Sequence, residues 1–151
     1  MTPEFKIKRF NELSLTGLYQ MLQLRSEVFV VEQNCVYQDI DGKDDKALHL
    51  LGSFEGQIVA YTRLFAPGHY FENASVGRVV ISPGYRDRKW GHDLMKASID
   101  GIKEHFNTGN ITISAQLYLK KFYESHGFVQ EGDEYLEDDI PHIRMHLISD
   151  F

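Results

Sequence analysis

The sequence has one cysteine, four prolines and no long uninterrupted apolar run. A single cysteine, Cys35, excludes an intrachain disulfide, which fits a reducing cytoplasm, where we expect the protein to reside. No apolar run reaches the roughly 20 residues that a membrane-spanning helix needs. The segment Met1 to Arg9 alternates charged with apolar residues and lacks the apolar core of a signal peptide. We therefore expect a soluble protein with no membrane partner.

Several ligand-binding motifs are also missing. The sequence contains neither a G-x-x-x-x-G-K-[ST] loop nor a G-x-G-x-x-G fingerprint. The seven histidines show no metal-binding spacing, and the acidic run from Asp39 to Asp45 does not fit the register of an EF-hand, so we predict no metal. No nucleophile signature surrounds Cys35, which favours a packed or loop thiol.

Basic residues are fewer than acidic ones, 16 against 22, and the net charge is −6. A nucleic-acid-binding domain needs a broad basic face, so this charge disfavours a nucleic-acid partner. A small cationic substrate suits the charge better. At 151 residues with 42% hydrophobic content, the chain is long enough for one buried core and short for two domains.

The stretch from Ser75 to Met95 passes from an apolar β-rich run through a basic turn into an amphipathic helix. Pro83-Gly84 ends the strand, three cations precede Gly91, and apolar residues then repeat at helical spacing. A helix N-terminus offers free N–H groups and the positive end of the helix dipole. The stretch therefore predicts a phosphate site. A solvated basic surface is the alternative interpretation.

Apolar periodicity predicts elements in the order β-α-(β-β)-β-α-β-α-β-β. Ser14 is a suitable N-cap for the first helix, Glu55-Gly56 a hairpin connection, and Gly127 a helix C-cap. We predict a helix from Leu117 to His126 and a final strand from Ile143 to Ile148. The whole chain, 1–151, then forms one α/β domain: a mixed sheet of six to seven strands with a central parallel βαβ unit and about four helices.

Several motifs resemble one family. The loop Arg86 to Gly91 (RDRKWG) resembles the [RQ]-x-x-G-x-[GA] pyrophosphate loop of the GNAT acetyltransferase superfamily, with Lys89 in place of the first glycine. A glycine there avoids crowding of the pyrophosphate. Gln116 to Phe128 (QLYLKKFYESHGF) resembles the family's helix-then-strand signature. The ElaA-like subgroup is matched by three further segments: Arg25 to Gln33, Tyr37 to Gly42 and Tyr135 to His142. The resemblance covers nearly the whole chain and implies the GNAT fold.

The resemblance implies acetyl-CoA as the cosubstrate. The strand ending at Ile81 is then expected to splay from the one ending at Ala115, so that its free backbone groups bind the pantetheine arm. Backbone N–H groups near Val80 and Ile81 would hold the thioester oxygen. An ordinary buried strand is the alternative. The cofactor-binding residues that the resemblance indicates are Val79, Val80, Ile81, Arg86, Asp87, Arg88, Lys89, Trp90, Gly91, His92, Gln116 and Phe122.

Tyr123 stands where many family members have a tyrosine that protonates the departing thiolate of CoA. Without the family, a tyrosine in an apolar helix indicates core packing. Glu32 and then His142 are the candidate bases for removing a proton from the acceptor. Either residue can instead hold structure, and a water chain can serve as the base.

The acceptor implied by the resemblance is a primary amine, on a small molecule or a peptide, acetylated directly with no covalent enzyme intermediate. Two acidic clusters, Asp39 to Asp45 and Glu134 to Asp139, flank the expected acceptor side and favour a cationic amine. Ordinary solvated loops are the alternative. The alternative function is a CoA-binding regulatory module without turnover. The sequence leaves the oligomeric state, including a homodimer, open.

Overall fold

Seven strands form two antiparallel sheets in a computed structural model that describes residues 1–150. One sheet has the order β1-β2-β3-β4, and the other has the order β5-β7-β6. The strands are β1 (Glu4–Arg9), β2 (Leu48–Phe54), β3 (Gln57–Phe65), β4 (Ser75–Ile81), β5 (Ile111–Gln116), β6 (Val129–Glu137) and β7 (Ile140–Leu147). The predicted α/β architecture is confirmed.

The helices are α1 (Leu15–Arg25), α2 (Trp90–Phe106) and α3 (Lys120–Glu124), and α1 continues directly into a π-helix, Ser26–Glu32. Ser14 caps α1 as predicted, since its hydroxyl accepts a hydrogen bond from the Gly17 N–H at 2.9 Å. Short 3₁₀ turns precede β2, α2 and α3. Within residues 1–150, no helix is both long and apolar enough to cross a membrane.

The two sheets are joined by a single parallel bridge between β4 and β5. Ala74 pairs with Ile111, and the Thr112 N–H donates to the Ala74 carbonyl at 2.8 Å. Beyond this bridge β4 is paired only with β3, and β5 only with β7. The other edge of β4 is therefore open toward its C-terminal end, as the predicted splay requires.

A β-bulge lies in the open half of β4. Tyr61 on β3 faces Val80, and Arg63 faces Gly77, so β4 carries one residue more than β3 over this interval. The extra residue coincides with Arg78, whose φ is +51°. Because a bulge bends a strand and increases its twist, it helps β4 to diverge from β5.

The core is continuous across the two sheets. The buried face of α2, including Met95 and Ile102, packs with Ile113 on β5 and Ile143 on β7. On the other face of the first sheet, α1 buries Met21 and Leu24 against Leu51, Tyr61 and Val80. Since side chains alternate along a strand, the second sheet has an apolar face toward α2 and a polar face on the α1 side.

Two predicted elements differ from the structure. The helix expected from Leu117 to His126 is a 3₁₀ turn followed by only five α-helical residues. The final strand begins at Ile140 rather than Ile143. It pairs with β6 through a turn at Asp138 and Asp139, whose φ angles are +51° and +62°. Two positive φ angles are typical of a tight hairpin turn, and aspartate tolerates them better than most residues.

Candidate active site

A cavity of about 600 Å³ lies where β4 and β5 diverge. Its walls come from β4, β5, α3, the π-helix and the turn between β6 and β7. This volume is within the usual range for small-molecule sites. The predicted site residues that line it are Glu32, Val79, Val80, Ile81, Arg86, Gly91, Gln116, Phe122, Tyr123 and His142. The fold thus collects residues from four distant sequence segments around one space.

Lys89 has a left-handed backbone conformation, with φ of +60°, and it is the N-cap of α2. Glycine adopts this conformation freely, whereas another L-residue is strained by about 1–2 kcal/mol. The backbone turn therefore accounts for the family's glycine at this position more directly than the crowding of a ligand does. Two residues later, a β-carbon added to Gly91 would lie 3.5 Å from the Phe122 ring, an ordinary contact.

Five residues assigned to the cofactor do not line the cavity: Asp87, Arg88, Lys89, Trp90 and His92. The Trp90 ring is buried and stacks on Tyr85 at 5.4 Å, and its indole N–H donates to the Met1 carbonyl at 3.1 Å. The Arg88 guanidinium lies 4.8 Å from the Tyr85 ring centre. Trp90 is therefore part of the buried packing and Arg88 stays exposed to solvent, and neither side chain lines the cavity.

His92 lies beside the cavity wall rather than in it. Its Nδ1 is 3.0 Å from Nε2 of His126, and both imidazole rings pack on Phe122. Burial lowers the pKa of His126, and the neighbouring His92 lowers it further. The His126 ring therefore favours its neutral form.

Tyr123 is 5% exposed and lines the cavity from α3. Burial raises the pKa of its phenol far above the usual value, and Tyr118 adds to the effect. Among residues 1–150, no side chain or carbonyl forms a hydrogen bond with this hydroxyl. The phenol therefore stays protonated at neutral pH and offers an unused donor to a ligand.

Glu32 lies at the end of the π-helix and faces Arg86 across the cavity mouth. The Arg86 Nη1 and Nη2 atoms donate to the two carboxylate oxygens at 2.7 and 2.5 Å. The Arg86 Nε donates to the Ile81 carbonyl at 3.2 Å. The hydrogen bonds from Arg86 lower the pKa of Glu32. A carboxylate held in this way is a weak proton acceptor.

His142 is buried on β7 and also lines the cavity. Its Nδ1–H donates to the Ile140 carbonyl at 2.7 Å. In the neutral ring the lone pair therefore belongs to Nε2. This nitrogen is 3.5 Å from a carboxylate oxygen of Glu137, which lines the same cavity. Of the two candidate bases, only Glu32 has its proton-accepting atoms bonded to an arginine. The accepting nitrogen of His142 has no such bond within residues 1–150.

Three carboxylates of the first acidic cluster, those of Asp39, Asp41 and Asp44, are not free. Asp39 accepts from Arg25 at 3.0 Å and from Arg78 at 2.7 Å. Asp44 accepts from Arg25 and Arg63, each at 2.9 Å. Three arginines and three aspartates, Asp41 included, thus form one largely buried network. Its three arginines neutralise these three carboxylates, which were expected to attract a cation.

The network fixes the loop that follows the π-helix. Asp41 receives two hydrogen bonds from Arg63, at 2.8 and 2.9 Å. Burial alone would raise the pKa of Asp41, but the bonds from Arg63 outweigh it and lower the pKa to about 2. Arg25 and Arg63 stand among apolar residues of predicted elements. An arginine at a core position needs a buried carboxylate partner, and this is the signal that could have revealed the network.

Two contacts close the cavity on the α1 side. The Cys35 thiol donates to the Asp138 carbonyl at 3.4 Å, and the Gln33 and Gln116 amides are 3.3 Å apart. The second acidic cluster, Glu134 to Asp139, lies partly in strand β6. Two of its residues, Glu137 and Asp138, line the cavity. Within residues 1–150, no three His, Cys, Asp or Glu side chains are arranged to hold a metal.

The chain is similar to known acyltransferases over nearly its whole length. A family model described as an acetyltransferase (GNAT) domain matches residues 12–149. Protein ElaA of Escherichia coli is 41% identical over 144 residues, which cover 94% of each chain. The crystal structure of an acyl-CoA N-acyltransferase from Pseudomonas aeruginosa superposes with a TM-score of 0.91 and 40% identity, covering 96% of this chain and 99% of that one. The crystal structure of Escherichia coli ElaA gives 0.87 and 40%, over 95% and 99% of the two chains. The chain is therefore an acyltransferase that belongs to the GNAT acetyltransferase superfamily and is ElaA-like within it.

Proposed function

We propose that this acyltransferase moves the acetyl group of acetyl-CoA directly to a primary amine, with no covalent enzyme intermediate. The observation that supports the proposal most is the Tyr123 side chain, which lines the cavity from α3 while its hydroxyl forms no hydrogen bond within residues 1–150. This O–H group is therefore free to donate a hydrogen bond to a ligand in the cavity. The sulfur of a departing CoA thiolate would accept this bond.

The cofactor would lie along the open edge of β4. The start of α2, near Gly91, offers backbone N–H groups and the positive end of a helix dipole to the pyrophosphate. Past Ala74, the backbone of β4 has no partner strand on the β5 side, so it is free to pair with the pantetheine arm. Backbone N–H groups near Val80 and Ile81 would stabilise the thioester oxygen as it becomes negatively charged.

The reaction begins with an amine that arrives as an ammonium ion. His142 Nε2 takes one of its protons and passes it to solvent. The amine nitrogen then attacks the thioester carbon, and the carbon–sulfur bond breaks with its electron pair on sulfur. The thiolate takes the Tyr123 proton, and the surplus proton on the new amide nitrogen returns to the phenolate. The net products are the N-acetyl amine, CoA thiol and one proton.

Burial raises the pKa of Tyr123, yet this is compatible with proton donation. A thiolate formed in the same cavity is also removed from water, so its own pKa rises for the same reason. The pKa values of the phenol and the thiol therefore stay closer to each other than the shift of the phenol alone would suggest. Because the phenol stays protonated well above neutral pH, the donor is present at every pH at which the enzyme would be assayed.

Cys35 does not have the surroundings of a nucleophile. Its thiol donates to the Asp138 carbonyl, and no histidine within residues 1–150 is hydrogen-bonded to it. A nucleophilic cysteine normally has a nearby base or cation that favours the thiolate. Direct attack by the amine needs no such activation. The acceptor amine is proposed to be cationic before binding, and Glu137 and Asp138 are the cavity carboxylates that would receive it.

The test is release of CoA thiol from acetyl-CoA across a panel of peptide and small-molecule amines. We expect thiol release that depends on one class of amine, in equal amount with its N-acetyl product. The intact protein mass should show no bound acetyl group after incubation with acetyl-CoA alone. Thermal stabilisation by CoA without thiol release for any amine would contradict the proposal and favour the regulatory module.

A further inference from the structure

A second cavity, of about 360 Å³, adjoins the first and carries basic residues. Ser114 and Glu137 line both cavities and so mark the junction between them. The other residues of the second cavity come from the loop that follows the π-helix, the loop between β3 and β4, and the polar face of the second sheet: Lys43, His69, Tyr70, Phe71, Tyr135 and Arg144. This space is separate from the open edge of β4 where acetyl-CoA would lie.

Two of these residues are cations held in place by aromatic rings. The Lys43 ammonium lies 5.7 Å from the Tyr70 ring centre, and the Arg144 guanidinium lies 4.9 Å from that of Phe71. Phe71 packs edge-on against Tyr70 at 4.9 Å, so the two rings form one support. Neither cation has a carboxylate within salt-bridge distance among the described residues 1–150. Both charges are therefore available to a ligand.

The junction has the opposite charge. Glu137 accepts a hydrogen bond from the Ser114 hydroxyl at 3.1 Å, and its other carboxylate oxygen is 3.5 Å from His142 Nε2. A positively charged amine beside Glu137 would thus lie next to the nitrogen that is proposed to remove its proton. Beyond that point the lining becomes basic, although the protein as a whole carries a net charge of −6.

We propose that the second cavity binds an anionic group on the acceptor, a carboxylate or a phosphate, while the acceptor's ammonium group lies at Glu137. The acceptor would then be a zwitterion, such as a short ω-amino acid. Lys43 and Arg144 would hold the anion, and Arg144 presents the planar fork that suits carboxylate and phosphate oxygens. This inference rests on the proposed amine acetylation, and it assigns the acceptor class for that same site.

The test compares ω-amino acids having two to five carbons between amine and carboxylate with their primary amides, which keep the amine and the size but lose the charge. For at least one length we expect kcat/KM of the acid to exceed that of the amide about tenfold or more. O-phosphoethanolamine against ethanolamine separates phosphate from carboxylate. Equal kcat/KM for acid and amide at every length, and for both members of the phosphate pair, would overturn the inference while leaving the acetylation intact.

The test variant combines Lys43→Gln with Arg144→Gln. The control variant combines Lys6→Gln with Lys46→Gln, and it removes two exposed lysines that do not line the cavity. We expect the test variant to raise KM for the acid about tenfold or more, with no change in KM for acetyl-CoA or for the amide. The control variant should leave the preference for the acid unchanged. An acid preference that survives in the test variant would contradict the assignment.

If no amine is acetylated, the proposed function fails. Ligand binding to the second cavity can still be measured, and it decides whether this cavity is an anion site. Calorimetric titration of the CoA-saturated protein with the same acids and amides, and with the phosphate pair, then replaces the kinetic assay. Binding of an anionic member but not its neutral partner, lost in the Lys43 and Arg144 variant, would support the second cavity as an anion site. Equal binding of both members, or binding of neither, would overturn it.

Discussion

Arg86 and Glu32 form a two-bond ion pair across the mouth of the cleft, with N–O distances of 2.7 and 2.5 Å. Arg86 belongs to the loop expected to bind pyrophosphate, and Glu32 to the π-helix on the facing wall. An incoming pyrophosphate would therefore compete with Glu32 for the same guanidinium. If Arg86 binds the pyrophosphate, CoA binding and the ion pairing of Glu32 should depend on each other.

Glu32→Gln should tighten CoA binding because it removes this competition. Exposed ion pairs are worth roughly 0.2–1 kcal/mol, so we expect a decrease in Kd of up to about fivefold. Glu27→Gln is the control, since it removes the same charge from the same segment without a direct bond to Arg86. Calorimetry with CoA measures both. A Kd that is unchanged or larger in Glu32→Gln would contradict the competition.

His142→Gln should lower kcat by about 10²- to 10⁴-fold near neutral pH if His142 is the general base. The defect should shrink as the pH approaches the pKa of the free amine, near 10, because the acceptor then arrives deprotonated. The pH profile of kcat for the best amine measures this.

The control for His142 is His146→Gln. His146 lies four residues further along β7 and binds Thr112 and Glu131, and it does not line the cavity. Its replacement should leave kcat nearly unchanged. A defect in His142→Gln that is equally large at pH 7 and pH 10 would indicate a structural role rather than proton transfer.

Gly91→Asp should weaken CoA binding more than Gly91→Asn does. Both side chains have nearly the same size, and both begin at a β-carbon with ordinary contact to Phe122. Only the aspartate places a negative charge beside the pyrophosphate, which we expect to raise Kd by about tenfold or more. An acidic residue in the first turn of a helix is otherwise stabilising, so the variant should fold. Equal Kd values of CoA for the two variants would contradict the placement of the pyrophosphate at the start of α2.

Stability at low pH should depend on Asp41. Its folded pKa of about 2 lies below its ordinary value near 4, so the stabilisation is present above pH 4 and is lost as the pH falls to 2. One such carboxyl changes the free energy of unfolding by at most about 1.4 kcal/mol per pH unit. In Asp41→Asn the urea midpoint should be lower at pH 6 and should vary less between pH 4 and pH 2.

Asp45→Asn is the matched control for Asp41. Asp45 lies in the same loop, is exposed and forms no ion pair within residues 1–150. Its pH profile of the urea midpoint should match that of the wild type. Parallel pH profiles for Asp41→Asn and the wild type would show that the bonds from Arg63 do not account for acid stability.

Elements with a local cause were predictable from the sequence. Ser14 caps α1, Glu55-Gly56 forms the turn of the hairpin, and Gly127 has a φ of +93° after α3, each as expected. These features depend on residues only a few positions apart. The splay of β4 from β5 was predictable only through the family resemblance, since no residue of either strand indicates it alone.

Features that depend on distant pairs were not predictable. Arg25 meets Asp44 across 19 positions, and Arg86 meets Glu32 across 54. A run of acidic residues therefore indicated a cation-attracting loop where the structure has internal ion pairs. Asp138-Asp139 was assigned to an acidic cluster that flanks the acceptor side, with a solvated loop as the alternative. Its positive φ angles, which make the turn of the β6–β7 hairpin, leave no comparable signal in an Asp-Asp pair.

The most direct test of the acetyl-transfer mechanism is the single-turnover rate of Tyr123→Phe with saturating acetyl-CoA and the best amine. Phenylalanine fills the same space against Phe122 and Phe128, so the fold and the Kd for CoA should stay close to those of the wild type. Loss of the general acid should lower the rate of the chemical step by about 10²- to 10⁴-fold. A folded Tyr123→Phe variant that binds CoA normally and acetylates the amine at the wild-type single-turnover rate would contradict the role of Tyr123 as the proton donor.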